Sequence, residues 1–154
     1  MPFDAKGPFP LSFKGKGDLV DWRHRSLQRR LEQTRVARDE TEQSMRALID
    51  DFKQTFRPPW PAHLTLHNTG NGQYIRWRLR GSRLVKQQYF ELSGNGIGLN
   101  FLNSLSSSAR EVYLEFEQER LKLNLLYGLH HYEAKRLQHY LDATHHLDVL
   151  RRGI

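Results

Sequence analysis

Residues 73–80 read Gln-Tyr-Ile-Arg-Trp-Arg-Leu-Arg and alternate strictly between two kinds of side chain. Drawn out as a strand, they place Tyr74, Arg76, Arg78 and Arg80 on one face and Ile75, Trp77 and Leu79 on the other, because successive strand side chains point to opposite sides. Such a strand needs a hydrophobic core behind it and an anion in front of it. A nucleic-acid phosphate backbone is the anion that a row of arginines suits best.

The rest of the chain supplies the partners for that strand. Residues 1–17 mix proline, glycine and lysine without a sustained period and read as a flexible arm. Asp18 is placed to cap a helix running to residue 56. Its seam of Val20, His24, Leu27, Leu31, Thr34, Arg38, Thr41, Met45, Leu48 and Phe52 advances in alternating steps of four and three, which is coiled-coil spacing with a polar middle. Arg57-Pro58-Pro59-Trp60-Pro61 ends the helix, since proline offers no amide donor and keeps its predecessor out of helical geometry. A sheet is expected over 63–92: His63–His67, a turn at 69–72, the arginine strand, and a third strand, Arg83–Leu92, joined to it by a two-residue Gly81-Ser82 hairpin. In that register Tyr74 opposes Tyr89, Arg76 opposes Gln87, Arg78 opposes Val85 and Leu79 opposes Leu84.

A loop over 93–107, with a short helical turn near Leu99–Leu105, leads to Ser108 and Glu111, a capping box for a second long helix over 108–151. That helix carries a stripe of Val112, Phe116, Glu119, Leu123, Leu126, His130, Ala134, Leu137, Leu141 and Thr144. Leu114, Leu121, Leu125, Leu129 and Tyr132 form a second apolar side, so two neighbours are expected, the second being either another copy of the chain in a homodimer or the sheet of the same subunit. Gly128 in mid-helix costs about 1 kcal/mol against alanine and marks a close helix crossing. Matching Phe52 to Val112 brings Thr34 and Arg38 beside His130 and Leu126. The fold expected is α+β: one domain over 18–152, in which two long antiparallel helices flank a small three-stranded antiparallel meander.

Composition narrows the partners. The formal charge of +7 and pI near 9.9 favour an acidic partner, and arginine, with 17 of the 24 basic residues, grips phosphate through a rigid two-pronged fork. The absence of cysteine excludes disulfides, thiolate metal sites and a cysteine nucleophile. No apolar run reaches the roughly 20 residues that span a bilayer. A cytoplasmic protein without membrane partners is expected.

The sequence offers no catalytic constellation and no cofactor. His63 and His67 in a strand would stand about 13 Å apart, too far to share a metal, and no Asp or Glu completes a recognisable ligand set with the helical histidines. Gly94, Gly96 and Gly98 lack the strand, lysine and acidic context of a nucleotide-binding loop. Glu111, Glu115 and Glu119 form a solvated row, with Glu119 set to pair with Lys122. The first helix is basic up to Arg38 and acidic from Asp39 to Asp51. Antiparallel packing would bring Arg23, Arg29 and Arg30 alongside Lys135 and Arg136, a second basic patch.

The order FKGKGDLVDW at 13–22, a long helix, YIRWR at 74–78 and LEFEQERLKLNLLYGLHHYEAKR at 114–136 resembles a bacterial family of unknown function from integrating conjugative elements, some members of which are labelled integrase regulator R. The most specific pieces are the aromatic-Ile-Arg-Trp-Arg strand and Glu117-x-x-Arg120-Leu121-x-Leu123-Asn124. The resemblance implies a mobile-element setting among replication, partition and single-strand-binding genes, and supplies no active-site residues. The function expected is a non-enzymatic DNA-binding accessory protein, with single strands slightly favoured. Arg76, Arg78, Arg80 and Arg83 would meet phosphates, while Tyr74, Tyr89 and Gln87 would meet bases. The alternative is an adaptor whose arginine face docks an acidic, element-encoded protein.

Overall fold

A computed structural model describes residues 22–84, 86–94 and 96–153. Helix α1 (His24–Thr55) leads to strands β1 (Ala62–Thr69), β2 (Gly72–Leu79) and β3 (Gln88–Phe90), then to helices α2 (Ile97–Ser104) and α3 (Ser107–Gly153). The expected arm, with Asp18 and Val20, lies outside the described residues. Helix α1 begins later than the sequence suggests: Arg23 is extended, and Trp22 packs its ring against Tyr140 of α3 at 5.6 Å. At the other end the proline segment stops α1 as expected. The Trp60 indole N–H donates to the Phe56 carbonyl at 2.8 Å and satisfies one of the acceptors that a helix end leaves open.

Helices α1 and α3 form an antiparallel hairpin close to the expected register. Phe52 packs on Tyr113 and Phe116 near the sheet, while Arg30 bonds Glu133 and Arg35 bonds Gln138 towards the far end. Leu27, Leu31, Ala134 and Leu141 make a small distal core. The larger core gathers Met45, Ile49 and Phe52 of α1, Leu64, Ile75, Trp77 and Phe90 of the sheet, and Tyr113, Leu123 and Tyr127 of α3. Thr34 and Thr41 are buried between helices, but each hydroxyl donates to a carbonyl four residues back in its own helix, Arg30 and Ala37 respectively, at 2.8 Å. The two threonines of the polar middle therefore satisfy their hydroxyls within α1.

The seam of α3 is rotated from the expected one over its first half. Tyr113, Glu117, Arg120 and Tyr127 are buried, one residue on from the Val112, Phe116, Glu119 and Leu126 of the apolar count. The expected and observed seams share Leu123, Ala134 and Leu141. The helix starts at Ser107, so its cap is Ser106, whose hydroxyl accepts the Ala109 N–H at 3.3 Å, rather than Ser108. Among the described residues Leu114, Leu121, Leu125, Leu129 and Tyr132 meet no second neighbour and are exposed. Gly128 is not at a crossing either: a Cβ there would meet nothing within 4 Å.

The sheet runs β1-β2-β3, all antiparallel. A two-residue link, Gly70-Asn71, joins β1 to β2 so that Thr69 pairs with Gly72 and Leu66 with Ile75. Gly72 sits at φ +129°, and a Cβ on it would press on Tyr127 and His131 at 3.2–3.3 Å, so both conformation and space require glycine. The expected β2–β3 hairpin is corrected. Trp77 pairs with Phe90 and Arg78 with Tyr89, and residues 80–84, 86 and 87 lie outside the strands, with Leu84 96% exposed. Gln87 and Arg83 are among these, not on the sheet, and Val85 lies outside the described residues.

The two long helices flank the meander from one side: among the described residues both pack behind Leu64, Ile75 and Trp77 on one face of the sheet. The glycine-rich segment serves packing: a Cβ on Gly98 would fall 2.2 Å from the Glu91 carbonyl, so glycine lets α2 lie directly on the chain after β3. Phe101 of α2 then closes the core against Phe90 and Tyr113.

Candidate nucleic-acid interface

Strand β2 is held from behind by a row of polar side chains on α3. Glu117 and Arg120 are each only 4% exposed. The Arg120 guanidinium donates to both Glu117 oxygens, Nε to Oε2 at 2.7 Å and Nη2 to Oε1 at 2.9 Å. It also donates to the Ile75 carbonyl at 3.1 Å and to Glu91 at 3.2 Å. Trp77 donates its indole N–H to Glu117 Oε2 at 2.6 Å, and Ser93 donates to the other oxygen at 3.1 Å. Burial alone would push the Glu117 carboxyl up; the hydrogen bonds from Arg120 and Trp77 outweigh it and hold the pKa below its ordinary value. Burial likewise opposes the charge on Arg120, and the Glu117 carboxylate overcomes it.

Asn124, one turn further on, takes the place of a neighbouring strand. Its Oδ1 accepts the Ile75 N–H at 2.7 Å and its Nδ2 donates to the Ile75 carbonyl at 3.0 Å. Strand β3 is only three residues long and leaves this part of the β2 edge unpaired, so a side-chain amide completes it. Tyr113 adds a hydrogen bond from its hydroxyl to the Ala62 carbonyl of β1 at 2.9 Å, and burial pushes its pKa up to about 12. Two sequence pieces singled out separately, Ile75-Arg76-Trp77 and Glu117-x-x-Arg120-x-x-x-Asn124, thus grip one another.

The opposite face of the sheet carries the arginines. Cross-strand pairing places His63 beside Arg78, Thr65 beside Arg76 and His67 beside Tyr74, with Tyr89 of β3 on the far side of Arg78. The Arg76 guanidinium lies 4.1 Å from the Tyr89 ring centroid and 5.7 Å from that of Tyr74, and Arg78 lies 5.7 Å from Tyr89. The His67 ring meets Tyr74 at 5.0 Å and Tyr89 at 5.6 Å. Stacking on a ring face orients a guanidinium while leaving its N–H edge free. Among the described residues no carboxylate pairs with Arg76, Arg78, Arg80 or Arg83. Arg80 lies just past the strand and uses its backbone N–H to bond Pro61. His63 stays neutral more readily than an ordinary histidine, because of its burial and then the nearby charges of Arg78 and Lys53.

The second basic patch is less open. Arg30 is paired with Glu133, so one of its cations is neutralised; Arg29 is exposed on α1, and Lys135 and Arg136 are exposed on α3. Arg151 pairs with Asp148 beyond the start of α1. Glu119 pairs with Lys122 at 3.5 Å, as the spacing suggests.

Sequence reasoning singled out Glu117, Arg120 and Asn124 only through the resemblance, without a structural part for them, and passed over Tyr127. Their signal is a second four-and-three row, 113-117-120-124-127-131-134, which opens on Tyr113 and is visible only when polar residues are allowed into a buried seam. Among the described residues no three His, Asp or Glu side chains gather as a metal set, and no helix is long and apolar enough to cross a membrane. No protein-family model, no curated protein and no solved structure matches the chain.

Proposed function

We propose that the protein is a non-enzymatic nucleic-acid-binding accessory protein whose contact surface is the outer face of the β-sheet. The observation that carries this reading is the pair Arg76 and Arg78, stacked on Tyr89 on a face turned away from both long helices, with no carboxylate of the described chain beside them. A cation left unpaired while its neighbours are ordered is suited to a phosphate. Arg80 and Arg83, just beyond the end of β2, extend the charge, and Gln87, just before β3, would add a polar contact. Single strands are favoured slightly over duplex, because splayed bases can reach the ring edges of Tyr74, His67 and Tyr89. The setting in an integrating conjugative element rests on the sequence resemblance alone.

A second reading has its own support. Arg76 already covers one face of Tyr89, which leaves less ring surface for bases and suits an acidic protein partner held by charge. Fluorescence anisotropy separates the two readings. With single- and double-stranded oligonucleotides titrated across salt, the wild type binds, and Arg76→Ala/Arg78→Ala/Arg80→Ala lowers the salt slope on single strands by about 2, the value for three lost phosphate contacts. No binding to either oligonucleotide at low salt replaces the nucleic-acid reading with the adaptor.

A further inference from the structure

We propose that the outward face of α3 pairs antiparallel with the same face of a second copy of the chain, through a seam centred on Leu125 and Gly128. The buried row of α3 has a companion one residue on, turned about 100° round the helix: Leu114, Gln118, Leu121, Leu125, Gly128, Tyr132, Lys135 and His139, again in steps of four and three. Leu121 is 48% exposed, Leu125 62% and Tyr132 65%, so an apolar strip along mid-helix is left uncovered by the described residues.

The occupant follows from the strip itself. Run against a copy of itself, the row falls into layers that set Leu125 opposite Gly128, Leu121 opposite Tyr132, Gln118 opposite Lys135 and Leu114 opposite His139. Each layer puts a larger side chain against a smaller one or a polar group against a polar group, and the two-fold axis makes every contact occur twice. Gly128 finds in such a close crossing the use it lacks within one chain, where a Cβ would meet open space. Charge chooses the direction. Glu111 and Glu115 flank one end of the strip and Lys135 and Arg136 the other, and none of them is in an ion pair among the described residues. Antiparallel pairing joins the acidic end to the basic end, whereas parallel pairing sets like against like. The strip and the arginine face are formed by different residues, so this association stands whether or not the chain binds nucleic acid.

Analytical ultracentrifugation of the full chain from low micromolar to near-millimolar concentration should give a species of twice 18.2 kDa. Leu125→Lys, at an exposed position, should shift it to monomer with the helical circular dichroism unchanged. Glu115→Lys and Arg136→Glu should each weaken the dimer, by roughly tenfold for the two symmetric pairs, and the combined exchange should restore it, which a merely structural defect would not do. Because the chain has no cysteine, Gln118→Cys and Lys135→Cys report direction. Mixed under oxidation they should cross-link to one another, and neither should cross-link alone. A monomer at every concentration, a Leu125→Lys protein that still dimerises, or cross-linking of either cysteine variant with itself overturns the proposal.

Discussion

Glu117 is the residue on which the sheet-to-helix contact turns. Its carboxylate receives hydrogen bonds from Arg120, Trp77 and Ser93 in a site nearly closed to water. Glu117→Gln leaves the Arg120 cation buried with only the outlying Glu91 to balance it, and should destabilise the fold by about 3–5 kcal/mol in urea unfolding. The exposed Glu119, paired with Lys122 at the surface, is the contrast: Glu119→Gln should shift the midpoint by about 0.5 kcal/mol or less. Acid should act in two stages. His131, stacked against Tyr127, is held below its ordinary pKa by burial and then by Lys135 and Arg38, and His63 is lowered for similar reasons. The unfolded chain takes up those protons first, so stability should begin to fall as pH drops below 6.5. The Glu117 contribution is intact above pH 4.5 and should be lost below it, as the pH passes through the carboxyl's lowered folded value. Urea midpoints measured across pH check both stages, and His63→Gln/His131→Gln should flatten the first alone.

Among the elements, the two helices and the arginine strand were legible because period and punctuation agree: a four-and-three seam, a proline stop, and strict alternation each leave few alternatives. The third strand was not. Its register is displaced by four residues from the expected hairpin, and the displacement is even, so Tyr89 keeps the arginine side although its partner changes from Tyr74 to Arg78. Local turn chemistry at Gly81-Ser82 lost to a tertiary anchor, the burial of Phe90 and Leu92 against Trp77 and Phe101. The face of α3 was misread for a related reason. Hydrophobicity picks out Leu126 and Phe116, whereas the helix buries Glu117, Arg120 and Asn124 because β2 has a free edge and an indole N–H to satisfy. The two informative glycines should respond in opposite directions. Gly72→Ala forces a side chain into φ +129° against Tyr127 and should destabilise, while Gly128→Ala meets open space and should stabilise the monomer by up to about 1 kcal/mol in thermal melts of Leu125→Lys protein, where association does not mask it.

At the scale of the whole molecule, the helices, α2 and the buried Glu117–Arg120 pair all stand behind the sheet and leave its front to Tyr74, Arg76, Arg78 and Tyr89. Charge is unevenly used: Arg30, Arg120 and Arg151 are balanced by carboxylates, while the sheet arginines rest on rings. The central claim is that those arginines meet phosphate. Nitrogen-edited NMR of the arginine side chains tests it most directly, with the Arg76 and Arg78 Nε–H signals assigned by their loss in Arg76→Ala and Arg78→Ala, during titration with a short single-stranded oligonucleotide at low salt. The account predicts that these two signals shift together and saturate with the binding isotherm. Binding that leaves both unmoved while arginines of α1 respond would contradict it.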